Sequence, residues 1–166
     1  GHHMDRTIAS ELKDVPEFQK YAASTAFVEG WGLYSEQLAN EMGLYSNDVQ
    51  QLGRLGNDAW RACRLVLDTG MHGMGWSRDQ AIKFFLENSP IENTNANIET
   101  DRYIAWPGQA CAYKMGQLAI MELRKNAEED LGESFDIKLF HDEVLKDGGI
   151  TIPILRKKIE EFVAST

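Results

Sequence analysis

Long apolar runs are missing from this chain. No stretch approaches the roughly 18–20 residues that a membrane-crossing helix needs, so no membrane span is expected. Basic residues are outnumbered, 17 Lys and Arg against 26 Asp and Glu, and no Lys/Arg cluster interrupts the net charge of −9. Such a surface repels phosphate backbones, which argues against nucleic acid and anionic membrane as partners. Cysteine is scarce. Cys63 and Cys111 cannot by themselves frame a disulfide-rich fold or a metal site, and both fall in segments that read as helix interior, where a buried thiol is ordinary core. β-branched residues never alternate over a strand length, so no sheet is expected. Repeats, low-complexity segments and linkers are also lacking. No signal peptide is visible. Gly1-His2-His3-Met4 does not read as a natural start, however, but as a cloning remnant or a cut inside a longer protein. Localisation is therefore open between periplasm, cell envelope and cytoplasm.

What is present is a globular composition. The chain has 166 residues, of which 43% are hydrophobic, enough for one domain over 1–166 with its own core. The fold class expected is all-α, an array of seven or eight helices. Ile8 and Leu12 mark a first helix over 2–13, closed by Val15-Pro16. Phe27, Trp31, Tyr34 and Leu38 form one stripe of a second, from Thr25 to Met42, with Gly43 as its cap. Ser46 caps a third that ends near Gly70 and carries a stripe of Leu52, Leu55, Ala59, Ala62, Val66 and Thr69. Ser77 with Gln80 is a capping box for a fourth, which stops before Ser89-Pro90. A fifth covers Asn95 to Ala105, and Pro107 opens a sixth that reaches about Leu131. Ser134 caps a seventh that ends at Gly148-Gly149, and Pro153 opens the last, through Val163.

Three stretches hold residues suited to chemistry. In the second helix Ala22, Ala23, Ala26, Gly30, Gly32 and Ala39 keep the helix thin, at a cost of about 1 kcal/mol for each mid-helix glycine. That predicts close backbone approach to something. Glu29 and Glu36 share a face there, either a solvated acidic face or a carboxylate aimed between helices. Asp68 and His72 are four apart. Asp68 either fixes the tautomer of His72 or pairs with Arg64, and His72 either works with Asp68 or sits at a helix C-terminus. Arg102-Tyr103 through Lys114 sets a guanidinium, two phenols, an amide and an ammonium around one tight junction. Gln109, Tyr113 and Gln117 recur there every four residues beside Gly108, Ala112 and Gly116, which reads as a lined cleft or a buried hydrogen-bond network.

Ala26-Phe27-Val28-Glu29-Gly30-Trp31-Gly32-Leu33-Tyr34, Asp68-Thr69-Gly70-Met71-His72-Gly73-Met74-Gly75-Trp76 and Asp101-Arg102-Tyr103 through Lys114, in that order, resemble the bacterial "domain of unknown function 885" family. The resemblance covers nearly the whole chain, including Phe140-His141-Asp142. It implies a gluzincin-like zinc metallopeptidase, of which this chain is the C-terminal portion. The family's metal motif, His-Glu-x-x-Pro-Gly-His-His, is matched in its last three residues by Gly1-His2-His3, and a downstream Glu-Gly-Trp motif by Glu29-Gly30-Trp31. His2, His3 and Glu29 are thus the implied metal residues. The motif's leading His-Glu, the latter the general base, is not in the sequence.

The chemistry of such a site suits these residue types. Two histidines and a glutamate leave zinc an open position for water. His72, Tyr103 and Tyr113 are candidate donors to the developing oxyanion. Arg102 and Lys114 could anchor a peptide carboxylate, with Gln109 lining the same cleft. Zinc is expected in the intact protein and only weakly, or not at all, in this chain alone. The expected partners are a peptide substrate, the missing N-terminal part and, through apolar surface left uncovered, a second copy. The alternatives are a non-catalytic helical interaction module and an inactive peptidase homologue.

Overall fold

With apolar residues at helical spacing and few strand formers to compete, every regular element is helical among the described residues, 1–13 and 15–166 of a computed structural model. The order is α1 (His2–Glu11), α2 (Glu17–Tyr21), α3 (Thr25–Glu41), α4 (Asp48–Gly73), α5 (Arg78–Asn88), α6 (Asn93–Ala105), α7 (Ala112–Leu131), α8 (Ile137–Leu145) and α9 (Ile152–Ser165). Single 3-10 turns at Gln109–Cys111 and Gly132–Ser134 precede α7 and α8. Eight of these helices have nine residues or more, as the spacing predicts. The ninth, α2, has five, too few for a periodic stripe to reveal it.

The helices form two compact units. The first comprises Gly1–Ser35 with Met115–Thr166, the second Glu36–Lys114. In the first, the predicted α3 stripe is buried: Phe27, Trp31 and Tyr34 are at most 3% exposed. They pack with Ile120 and Leu123 of α7, Phe140 and Val144 of α8, and Leu155 and Ile159 of α9. In the second, Cys63 and Leu67 of α4, Ala81 and Phe85 of α5, and Ala96 and Tyr103 of α6 make the core.

Capping chemistry places several ends where the sequence does. Gly43, at φ 69°, closes α3 with both bonds of a Schellman motif, Leu44 N–H to Ala39 O and Gly43 N–H to Asn40 O, each 3.0 Å. Ser77 and Gln80 form the capping box of α5. Pro153 lies in the first turn of α9.

Other ends shift. Asn47, not Ser46, caps α4, and Asp136, not Ser134, caps α8, receiving the Lys138 and Leu139 amides. Asx residues compete well with serine for this position, so proximity of a serine was not decisive. α4 runs on past Gly70, because that glycine makes room for the Trp76 ring and does not end the helix. α7 does not begin at Pro107. Gly108 takes φ 81°, which no continuing helix allows, and α7 opens only at Ala112. The α4 stripe also faces outward: Leu52 is 70% exposed and Leu55 52%. A spacing shows that a stripe exists; which stripe is buried is settled by packing partners.

Candidate functional site

In the first unit the small residues of α3 have specific neighbours. A Cβ on Gly30 would strike the Gly116 backbone of α7, and one on Gly116 would strike the Ala26 carbonyl. The imidazole of His2 fills the space a Cβ on Gly32 would need. That clearance lets His2 Nε2 reach Glu29 Oε2 at 2.9 Å. The Glu29 side chain is 19% exposed and that of His2 52%, so the pair is open to solvent on the histidine side. His3 follows on α1, but successive helical residues do not face each other. It is exposed and does not join the pair. No group of three or more His, Cys, Asp and Glu residues converges among the described residues.

Asp5, one turn along α1 from His2, was not singled out by its sequence pattern. It is 1% exposed and neither carboxylate oxygen has a hydrogen-bond partner among the described residues. Burial pushes its pKa up, against the lowering effect of Arg6, His2 and the N-terminal charge. The available signal was its i, i+3 spacing from His2.

In the second unit the candidates fall into an internally bonded network. Tyr103 is fully buried and its hydroxyl donates to Glu99 Oε2 at 2.6 Å while accepting from Arg64 Nε at 2.8 Å and Trp60 Nε1 at 3.3 Å. Burial, above all, raises its pKa to about 12. Burial alone would raise Glu99 too, but hydrogen bonds from Arg102 and Tyr103 and the Arg64 charge outweigh it and hold the carboxyl below its ordinary value. Arg102 donates to Glu99 and to Gln109 Oε1, the latter at 2.7 Å. Lys114 donates to Asp58 at 2.7 Å.

His72 Nε2 lies 3.0 Å from the Tyr103 carbonyl, near the C-terminus of α6, and so donates to an acceptor the helix end leaves unpaired. Asp68 neither orients His72 nor pairs with Arg64. Its two oxygens take the Gly108 amide, and Arg64 turns to Glu99 and Tyr103. Asp68 also lies beside Cys111, whose thiol is pushed up to about 11 by burial first and by that carboxylate second. Both cysteines are free thiols.

Tyr113 differs from the other candidates. Its ring lies 4.5 Å from the Arg64 guanidinium carbon, it is half-buried, and its hydroxyl makes no hydrogen bond among the described residues. Gln109 belongs to the 3-10 turn, so the four-residue repeat of Gln109, Tyr113 and Gln117 is not one continuous α-helical face.

The chain belongs to the family of bacterial proteins of unknown function DUF885, whose model matches residues 1–159. It is similar to "the putative lipoprotein from Colwellia psychrerythraea", at 40% identity and a TM-score of 0.97, over 100% of this chain and 28% of that one. A "putative lipoprotein of unknown function from Shewanella oneidensis" shares the fold at 24% identity and a TM-score of 0.84, over 95% of this chain and 29% of that one. This chain therefore spans well under a third of the length of either structure. No curated protein matches it. Among the described residues no helix is long and apolar enough to cross a membrane.

Proposed function

We propose that the protein hydrolyses peptide bonds as a zinc metallopeptidase, with these 166 residues carrying part of its active site. The observation that supports this is the His2–Glu29 pair, 2.9 Å apart across two helices and cleared by Gly32. An imidazole nitrogen and a carboxylate oxygen held together, open to solvent, are a donor set that fits zinc. Bound zinc would supply a water ionising near neutral pH. Glu29 sits in the second turn of α3, and the fit of Gly32 against the ring fixes where His2 Nε2 points. His3, or a histidine outside this chain, would supply the remaining ligand. The general base is the motif glutamate that this sequence does not contain. Tyr113 is the proposed donor to the oxyanion, since its hydroxyl is uncommitted, whereas the Tyr103 proton and His72 Nε2 are engaged. The lipoprotein names of the two similar structures support a place at the bacterial cell envelope.

Elemental analysis of the purified intact protein tests the proposal. Zinc should be present, and Glu29→Gln should lower its occupancy severalfold without unfolding the chain. Full zinc content in that variant would remove Glu29 from the ligand set.

One observation favours a second reading, a helical interaction module. Val49, Leu52 and Leu55 leave an apolar stripe of α4 exposed, at 79%, 70% and 52%. Such a stripe is a docking face for another chain or for a second copy. Absence of both zinc and peptidase activity would favour it.

A further inference from the structure

One cluster of the second unit holds three guanidiniums, those of Arg61, Arg64 and Arg102, close to only two carboxylates. Glu99 is shared by Arg64 and Arg102, each donating to Oε2 at 3.0 Å. Among the described residues Arg61 bonds only to Asn57, through its side-chain and backbone oxygens, and feels the nearby charge of Glu36. Lys114 and Asp58 cancel each other. Three guanidiniums thus face two carboxylates.

Two of the three guanidiniums also hold an unused donor. Arg64 is 5% exposed, and its Nη1 is buried with no partner among the described residues; so is Nε of Arg61. Buried charged donors are rarely left unmade. The two arginines converge on one ring, their guanidinium carbons 5.3 and 5.5 Å from the Trp60 centroid. Their mutual repulsion adds to burial in lowering the Arg61 pKa. Two planar forks set against the same ring, with about one positive charge unmatched, suit a planar monoanion.

We propose that Arg61 and Arg64 form a binding site for a carboxylate, reached past the half-buried Tyr113 ring that now covers the Arg64 guanidinium. The carboxylate belongs to a small free acid or to the C-terminus of a peptide. The second source rests on the peptidase reading; carboxylate binding itself does not. Arg102 and Lys114 are the less suitable anchors, because Glu99, Gln109 and Asp58 already engage them.

The test is calorimetric titration of the protein, in a chelator so that zinc plays no part, with N-acetyl-dialanine as the free acid and as the C-terminal amide. The free acid should bind at least about tenfold more tightly, the scale of one charge-assisted contact, and Arg61→Gln should abolish that preference. Acetate that competes fully would identify any small carboxylate as sufficient; acetate that does not compete would point to the peptide terminus. Equal binding of acid and amide, no binding of either at millimolar concentration, or a preference that survives Arg61→Gln would overturn the proposal. Should Arg61→Gln fail to fold, the acid–amide comparison on the unaltered protein still decides. Lack of peptidase activity would leave a positive result standing.

Discussion

The backbone amide of Gly108 donates to both carboxylate oxygens of Asp68, at 3.0 and 2.9 Å. The bond ties α4 to the junction before α7 and uses a side chain that is 4% exposed. Asp68→Ala should therefore cost roughly 1.5–3 kcal/mol, as for a hydrogen bond to a charged group. Gly108→Ala should cost about 1–2 kcal/mol by forcing a Cβ into the left-handed region. Chemical denaturation of the single variants checks both, and the double variant measures how far the hydrogen bond and the strained turn are coupled.

Glycine substitutions should split by location. Gly30→Ala and Gly116→Ala each drive a Cβ into backbone that cannot step aside. The expected loss is about 3 kcal/mol or more, well above the ~1 kcal/mol gained in helix propensity. Gly53, within α4, has open space around it, and Gly53→Ala should stabilise by up to about 1 kcal/mol. Thermal melts of the three variants would show the sign directly; a stabilised Gly30→Ala would mean the α3–α7 contact is not this close.

Tyr103→Phe removes the oxygen on which Arg64, Trp60 and Glu99 converge. Leaving these donors and the carboxylate short of a partner should cost about 1–3 kcal/mol. It should also change the alkaline limb of stability. A folded tyrosine with its pKa raised to about 12 disfavours ionisation relative to the unfolded chain, at about 10. Stability should therefore fall as pH rises from about 10 towards 12, and the Phe variant should lack that part of the slope in urea melts.

Tyr113→Phe addresses the oxyanion proposal. In the intact protein zinc content and folding should be retained while kcat and kcat/KM fall together, by about tenfold or more, as for one donor acting only in the transition state. Wild-type peptide hydrolysis by this variant, with activity lost in His72→Ala, would transfer the role to His72.

Local chemistry alone determined much of this protein. The all-α class, the buried Phe27–Trp31–Tyr34 stripe, the Gly43 and Ser77 caps and the family motifs were legible because each depends on residues within one or two turns. The thinness of α3 announced a close approach, but only the tertiary structure named Gly116 and His2 as the groups approached. The same limit explains the rest. Asp68 and His72 look like partners at i, i+4, yet each finds a stronger use 40 and 31 residues away. Arg61, Arg64 and Glu99 carry no motif of their own, and Asp5 is an ordinary acid on an amphipathic helix until burial leaves it unpartnered. Partners distant in sequence set desolvation and charge balance, so spacing along one helix could not reveal them.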